Sequence, residues 1–383
     1  MKKSLIAVAV AGLFAAPVAM AEVTLSGAIN LGIEISDSSD GNVPGSGFSK
    51  NFLNSNYSHV DMESVDDIGG GNKVIFHYQL VAQPQNTGGD NFNRNSFLGV
   101  AGTWGAFKMG TNENVYERLM YSADPLDGAV GPGGNLMILG TPGASTAFDA
   151  GQSSCRATSA NGCTGFYRRT DNTIWYESPN WSGFTFEVDY TLSAGKNVNT
   201  DPTVISMGGK FQPEGGIWYV DAAYEQHKDM FGANNTALVG GTTGGTGSTD
   251  TGMQVGGGIT FGEIALHLRY EKLDYQTDGT VGNGKYERDA YWFGGKYNLP
   301  SGYVGLAVGI ANEGKNDAGT VSNSGAMMYG IGYFHNLSKQ SQLQFIYGNT
   351  SNDDAATYTQ AGATNGNPGA DHTVIHAGLK HTF

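Results

Sequence analysis

Polar and apolar residues alternate along many segments of this chain, and this pattern constrains the fold more than any other feature. In EVTLSGAINLGIEI (22–35), aliphatic side chains stand at most odd positions, and most even positions are polar. The segments GFTFEVDYTL (183–192) and EIALHLRYEK (263–272) repeat the alternation. Successive side chains of a strand point to opposite faces, so each segment predicts a strand with one apolar and one polar face.

The connections between these segments alternate in length. Short ones contain Gly, Pro or Asn, as at 179–183 and 300–302, whereas longer polar stretches occupy 36–56, 227–251 and 351–371. A soluble β-sandwich would bury its apolar faces in one core, but here no predicted helix is available to cover them. Closure into a barrel pairs every backbone group within lipid. The sequence therefore predicts an all-β fold, a transmembrane antiparallel β-barrel of about sixteen strands with roughly seven short turns and eight longer loops.

The amino-terminal segment MKKSLIAVAVAGLFAAPVAMA (1–21) has two lysines, a short apolar stretch and an A-x-A-like end. This is the pattern of a cleaved secretory signal peptide. A membrane anchor is the alternative, but a helix that spans the bilayer needs about 20 apolar residues, and this stretch is shorter. The sequence thus predicts a signal peptide at 1–21 and an exported barrel domain at 22–383.

The composition agrees with export to a membrane and argues against one class of partner. Charged residues make up 15% of the chain, compared with about 25% in globular proteins. The net charge is −14, and loss of Lys2 and Lys3 with the signal peptide would lower it by two more, to −16. An acidic chain repels phosphate groups, so we expect no nucleic-acid partner.

With the strands placed, several segments resemble the general porins of Gram-negative bacteria, in the same order and over essentially all of 1–383. They are HVDMESVDDIGGGNKVIF (59–76), RNSFLGVAGTWGAFKMG (94–110), RTDNTIWYESPNWSGF (169–184), LSKQSQLQFIYGNTSND (337–353) and AGLKHTF (377–383). The resemblance implies a homotrimer of sixteen-stranded barrels that lets small hydrophilic solutes diffuse across the outer membrane. Its surroundings would be the lipid bilayer and lipopolysaccharide. Phe383 would form part of the signal that the outer-membrane assembly machinery recognises.

The resemblance also implies a constriction. The longest interruption between predicted strands, 113–167, corresponds to the third loop that folds into the lumen of these porins. Long loops without strands of their own are usually functional. We expect carboxylates of this loop to line the constriction, and they are Glu113, Glu117, Asp124, Asp127 and Asp149. Basic wall residues are expected opposite them, and the candidates are Arg94, Lys108, Arg168 and Arg169.

One wall segment departs from the family pattern. Where the second strand of these porins usually reads S-R-x-G-x-K-G, this chain reads SHVDMES, with His59, Asp61 and Glu63 at the Arg, Gly and Lys positions. The wall loses positive charges and gains carboxylates. We therefore predict a cation-preferring pore, since the charges that line a channel select ions. His59 adds a possible pH response near neutrality.

Cys155 and Cys163 lie in the same predicted loop. Two cysteines in one loop of an exported chain predict a disulfide. A metal site is less favoured because no residue nearby completes a ligand set. We expect neither a metal nor a cofactor.

Two other functions remain open at this stage. A channel specific for a sugar or an ion would line its path with aromatic residues, and Trp175, Trp292 and Tyr303 are candidates to point inward. A barrel enzyme of the outer membrane is the less favoured alternative. Asp371 and His372 are adjacent on a strand and would point to opposite faces, and no Ser or Cys nucleophile has an evident place beside them. We therefore expect a channel and not an enzyme.

Overall fold

The structure is a computed structural model of the chain. It describes residues 23–85, 93–126, 131–143, 165–167, 169–192, 196, 198, 201–229, 247–277, 284–360 and 366–383. Among these residues no helix is long and apolar enough to cross a membrane.

The described residues form nineteen strands, one short α-helix and one turn of 3-10 helix. The first strands are β1 (Val23–Ser38), β2 (Phe48–Ser55), β3 (His59–Gly69), β4 (Asn72–Val81), β5 (Asn93–Gly102) and β6 (Gly105–Glu113). Helix α1 (Val115–Tyr121) and the 3-10 turn (Asn135–Met137) follow β6. The middle strands are β7 (Arg169–Glu177), β8 (Phe184–Thr191), β9 (Thr203–Phe211), β10 (Trp218–Lys228), β11 (Ser248–Phe261), β12 (Ile264–Thr277) and β13 (Gly284–Leu299). The last are β14 (Gly302–Ala311), β15 (Lys315–Asn316), β16 (Gly319–Thr320), β17 (Ala326–Asn336), β18 (Ser341–Asn352) and β19 (His372–Thr382).

These strands build one closed antiparallel barrel with sixteen strand positions. β2 and β3 share one position, because β1 pairs with β2 along its upper half and with β3 along its lower half. β15 and β16 form a small hairpin in the connection between β14 and β17. The ring closes where β1 pairs with β19, from Ala28 opposite Thr382 to Ser38 opposite His372. The predicted fold class is confirmed.

The two faces of the barrel follow the alternation of the sequence. On β1, Ile33 and Ile35 are 57% and 44% exposed, whereas Glu34 between them is fully buried. Large apolar residues are exposed on the outer surface of most other strands as well. Lipid covers this surface in an outer-membrane barrel, and the polar residues turn toward the lumen. The alternation predicted from the sequence is confirmed.

The carboxyl terminus belongs to the barrel. The N–H of Phe383 donates to the carbonyl oxygen of Gly27, and the N–H of Gly27 donates to the carbonyl oxygen of Phe383, both across 3.1 Å. The Phe383 side chain is 46% exposed, on the same outer face as Leu379. The final residue is thus paired with the first strand instead of forming a free tail.

Candidate channel constriction

The connection between β6 and β7 is the third long loop of the barrel, and its described part lies along the inner wall. Its start is fixed by β8 and β9. The N–H of Val115 donates to the Asp189 carboxylate across 2.9 Å, and the N–H of Tyr116 donates to the Ser206 hydroxyl across 3.3 Å. Asp189 and Ser206 are register partners on neighbouring strands and share the inner face. Helix α1 therefore begins against the wall of the lumen.

Two charged residues of the far wall hold the later part of the loop. The Glu271 carboxylate accepts the N–H of Gly140 at 2.8 Å and the Tyr116 hydroxyl at 3.0 Å. Arg288 lies 3.1 Å from Glu271 and donates from Nε to the carbonyl oxygen of Thr141 across 2.8 Å. Both side chains are fully buried. This ion pair fastens two separate stretches of the loop to strands β12 and β13.

Glycines on β14, β17 and β18 provide a flat seat for the loop. A Cβ added at Gly330 would lie 3.0 Å from the Cα of Gly133 in the loop, and one added at Gly348 would lie 2.5 Å from the nitrogen of Gly133. A Cβ added at Gly305 would lie 2.4 Å from the carbonyl oxygen of Pro125. The backbone of the loop can approach the wall this closely only because these three positions lack side chains.

The predicted loop carboxylates have different surroundings. Asp124 accepts the N–H of Leu126 at 2.9 Å and the N–H of Asn135 at 2.7 Å. It therefore fixes the backbone of the loop. Glu113 is the last residue of β6, at the base of the loop, where it pairs with Arg169 and lies 3.9 Å from Arg94.

The predicted basic residues Arg94 and Arg169 lie beside Glu113 and not across the lumen from it. Arg169 pairs with Glu113 and donates from Nε to Asn95 across 2.7 Å. Arg94 stacks 4.2 Å from the ring centre of Tyr57. For Glu113 the expected separation from the basic wall does not hold, because the register of β6 and β7 places it directly opposite Arg169.

Glu117 is the second buried acid at the base of the loop. Its carboxylate accepts the hydroxyl of Tyr121. The pKa of Glu117 is raised to about 8, chiefly by burial and in addition by the nearby Glu113, while Arg169 opposes the change. Glu117 is therefore largely protonated at neutral pH and gains its charge only in mildly alkaline solution.

Lys108 faces the lumen as predicted from its place on the strand, and it has a partner that the sequence did not indicate. Its Nζ lies 2.6 Å from Glu177 and 4.6 Å above the ring of Phe97. On α1, Arg118 pairs with Glu187 of β8. The two acidic partners, Glu177 and Glu187, are register partners on the neighbouring strands β7 and β8.

His59, Asp61 and Glu63 all face inward on β3, opposite Ala28, Ser26 and Thr24 of β1. The structure adds His77 of β4 to this set. Asp61 lies 3.2 Å from Nε2 of His59 and 3.5 Å from Nε2 of His77, and Glu63 lies 2.9 Å from Nδ1 of His77. The departure from the family pattern thus places a cluster of two carboxylates and two imidazoles on the wall.

Several predicted residues lie outside the described part of the chain. They are Asp127, Asp149, Arg168, Cys155 and Cys163. Their predicted roles, including the disulfide, remain predictions.

Sequence reasoning missed the charged residues of the far wall. Arg269 lies 2.8 Å from Asp221, and Arg288 lies 3.1 Å from Glu271, with all four side chains buried. All five arginines that the structure describes form an ion pair with a carboxylate. The alternation along β12 could have identified Arg269 and Glu271 as inward-facing residues. Their ion-pair partners lie on other strands, and which residues pair depends on the strand register.

The candidate aromatic residues of a specific channel do point inward. Trp175 is the register partner of Lys108, and Trp292 is the partner of Arg269. Both rings are almost fully buried. Tyr303 stacks on Phe334 with ring centres 4.3 Å apart. Trp175 and Trp292 therefore present little ring surface to a passing solute.

A closed sixteen-stranded barrel with an apolar outside, a polar inside and a long loop along its inner wall defines a channel protein of the outer membrane. A sequence profile described as Gram-negative porin matches residues 7–355. Since this match covers most of the chain, the chain belongs to the Gram-negative porin family. It is an outer-membrane porin, as the sequence resemblance indicated.

Individual porins are similar to this chain over nearly its whole length. Outer membrane porin protein 32 of Delftia acidovorans is 26% identical, and the alignment covers 100% of both chains. The solved anion-selective porin from Comamonas acidovorans has a TM-score of 0.71 at 21% identity, covering 95% of this chain and 100% of that chain. In-vitro folded OmpT of Vibrio cholerae, in its trimer form, has a TM-score of 0.63 at 14% identity, and the match covers 95% of this chain and 99% of that chain. At these identities the two solved structures establish a shared fold.

Proposed function

We propose that this porin is a general diffusion channel for small hydrophilic solutes and ions, and that it has no enzymatic activity. The observation that carries the proposal is the described part of the third loop, which is fastened to the inner wall through Asp189, Glu271 and Arg288. A loop held inside a water-filled barrel narrows the path without closing it. Passive diffusion through such a path needs no cofactor.

The acids and bases at the base of the loop form the constriction in this proposal. Glu113 and Glu117 belong to the loop side, and Arg94, Arg169 and Lys108 belong to the adjoining strands. The direct pairing of Glu113 with Arg169 leaves a short-range field between buried charges, which water screens only weakly. Polar solutes that pass this point align with that field.

We further propose that the channel prefers cations. The guanidinium groups of the described arginines each lie within 4 Å of a carboxylate, with Arg94 and Arg169 sharing Glu113, which weakens their attraction for anions. In contrast, Asp61 and Glu63 have histidines as partners, and the Glu63 side chain is 52% exposed. The solved porin of similar fold is described as anion-selective, and at 21% identity the comparison establishes the shared fold and not the ion preference of this chain.

A homotrimer is the proposed assembly. One solved relative in fold is described as a trimer form, and the outer surface of this barrel offers exposed apolar side chains on most strands. The remaining outer surface would contact the lipid bilayer and lipopolysaccharide. The assembly machinery would recognise Phe383 before the barrel closes and Phe383 pairs with Gly27.

The test is reconstitution of the purified protein in a planar bilayer. Stepwise conductance supports an open channel, and the reversal potential in a KCl gradient gives the ion preference. We expect a cation-favouring potential, which should weaken in Asp61→Asn/Glu63→Gln. The matched control is Asp66→Asn/Asp67→Asn near the periplasmic end of β3, where we expect a smaller change. An anion-favouring potential in the wild type would contradict the cation preference, and absence of conductance would contradict the channel.

A further inference from the structure

The histidine and carboxylate cluster on β3 and β4 has an unusual balance of donors and acceptors. Asp61 lies opposite Gln79, and Glu63 lies opposite His77, so the residues form two adjacent cross-strand pairs on the inner face. His59 stands one inward position above Asp61 on the same strand. The cluster therefore follows the wall for three inward positions.

Each imidazole ring meets acceptors at both nitrogens. His59 Nδ1 lies 2.9 Å from the carbonyl oxygen of Tyr57, and its Nε2 lies 3.2 Å from Oδ2 of Asp61. His77 Nδ1 lies 2.9 Å from Oε1 of Glu63, and its Nε2 lies 3.5 Å from Oδ1 of Asp61. Neither a carbonyl oxygen nor a carboxylate donates a hydrogen bond. A neutral imidazole carries one N–H, and only the doubly protonated ring donates from both nitrogens.

The proton balance of the cluster follows from these contacts. With both rings neutral and both carboxylates ionised, each ring turns one lone pair toward a carboxylate or carbonyl oxygen, and the cluster carries two negative charges. With both rings protonated, every ring nitrogen donates, the bonds to the carboxylates are charge-assisted and the cluster is neutral. Each ring nitrogen thus has an acceptor oxygen within 3.5 Å that a doubly protonated ring can use.

The backbone supports this arrangement. Tyr57 lies in the interruption between β2 and β3 and has a φ of 59°, a conformation that is uncommon for a residue with a side chain. It turns its carbonyl oxygen toward His59, while its ring lies under Arg94 with 4.2 Å between the guanidinium carbon and the ring centre. The interruption therefore fixes which nitrogen of His59 points to Asp61.

Other described residues also contact the cluster. Gln79 donates from Nε2 to Oδ1 of Asp61 across 2.8 Å. The ring of His77 stacks on Phe97, with 5.3 Å between ring centres, and Lys108 lies on that phenylalanine ring as well. The side chains of His59 and His77 are each 16% exposed. Both rings are therefore accessible from the lumen, and the cations Arg94 and Lys108 lie on the Tyr57 and Phe97 rings beside the cluster.

We propose that His59 and His77 together determine how strongly the channel prefers cations, by binding protons beside Asp61 and Glu63. Histidine changes its charge between pH 5 and 8. Uptake of two protons removes the negative charge of this wall and reduces the preference for cations. This inference rests on the proposed cation preference, but it concerns the change with pH and not the sign at one pH.

The experiment compares reversal potentials at pH 8 and pH 5 in a KCl gradient, with EDTA present so that metal ions do not contribute. For the wild type we expect the cation-to-anion permeability ratio to fall at least about twofold at pH 5, as expected when two charges beside the path are neutralised. In His59→Gln/His77→Gln this fall should be absent. The matched control is His335→Gln/His381→Gln, whose imidazoles lie near the periplasmic turns, and it should retain the wild-type change.

A second measurement does not depend on conductance. Nitrogen NMR shifts of labelled histidine in the detergent-solubilised protein report the protonation of each ring, with assignment by single His→Gln variants. Both rings should gain a proton between pH 8 and pH 5. Equal pH dependence in the wild type and in His59→Gln/His77→Gln, or rings that stay neutral at pH 5, would overturn the inference. A channel that prefers anions at both pH values but keeps the histidine-dependent shift would contradict only the proposed cation preference.

Discussion

The N–H of Val115 donates to the Asp189 carboxylate across 2.9 Å, and this bond joins the first residue of α1 to the inner face of β8. The bond lies only two residues after the end of β6, so the loop turns into the barrel at once. A buried carboxylate that accepts backbone N–H groups at a helix start is a strong anchor. The position of the loop is therefore decided at its base and then secured by the far wall.

Removal of the Glu271 carboxylate should release the later part of the loop. In Glu271→Ala, Arg288 is left as an uncompensated buried charge, and the N–H of Gly140 loses its acceptor. We expect a loss of about 3–5 kcal/mol in the free energy of unfolding and a larger, noisier single-channel conductance. Thermal unfolding and bilayer recordings measure the two effects. The control Glu263→Ala, in an exposed turn, should change stability by less than about 0.5 kcal/mol, and an unchanged conductance in Glu271→Ala would contradict the anchoring role.

Glu117 should make the channel sensitive to mildly alkaline pH. Its pKa is raised from 4.5 to about 8 by burial and by Glu113, so it gains its charge as the pH rises through about 8. Cation conductance should therefore increase between pH 7 and pH 9 in the wild type and stay level in Glu117→Gln. A parallel increase in both proteins would show that another group titrates.

The same raised pKa predicts a stability effect with a definite sign. Between about pH 4.5 and pH 8 the folded protein holds a proton on Glu117 that the unfolded chain releases. The contribution of this group therefore makes the folded state less stable as the pH rises through that window, and the loss is complete above about pH 8. Thermal unfolding from pH 5 to pH 9 should show a smaller decrease in Tm for Glu117→Gln than for the wild type.

The glycine seat predicts that a single methyl group will displace the loop. In Gly348→Ala, the new Cβ would lie 2.5 Å from the nitrogen of Gly133, so the loop backbone must move into the lumen. We expect a reduced single-channel conductance, measured in the same bilayer assay. The control is Gly295→Ala on β13, where the nearest atom to an added Cβ is 3.7 Å away. Equal conductance in the two variants would contradict the proposal that the loop backbone packs directly on Gly348.

Phe383 should matter for assembly more than for the stability of the finished barrel. Phe383→Ala leaves both backbone hydrogen bonds to Gly27 in place and removes a side chain that is 46% exposed. We expect less folded protein in the outer membrane, measured in isolated membranes, and nearly unchanged thermal unfolding after refolding in detergent. Thr382→Ala is the neighbouring control and should assemble normally. A large drop in Tm for Phe383→Ala would assign the residue a structural role instead.

The barrel itself could be predicted from the sequence, because the alternation within each strand shows which residues face lipid and which face the lumen. The alternation in 22–35 requires no knowledge of neighbouring strands: Ile33 must face lipid if Glu34 faces water. The short and long connections give the direction of each strand in the same way. The start of β2 was harder to place, since the predicted connection 36–56 includes residues 48–55 that pair with the upper half of β1.

The charges of the constriction required the tertiary structure. The sequence by itself determined that Glu117 and Asp124 belong to the loop and that His59, Asp61 and Glu63 lie on the wall, whereas Glu113, predicted to begin the loop, is the last residue of β6. It did not determine that Asp124 binds backbone N–H groups, or that His77 joins the wall cluster. Partners of this kind come from strands far apart in the chain, and their contacts depend on register and closure. A strand's faces follow from steric rules within that strand, whereas the environment of a charge follows from every strand that surrounds it.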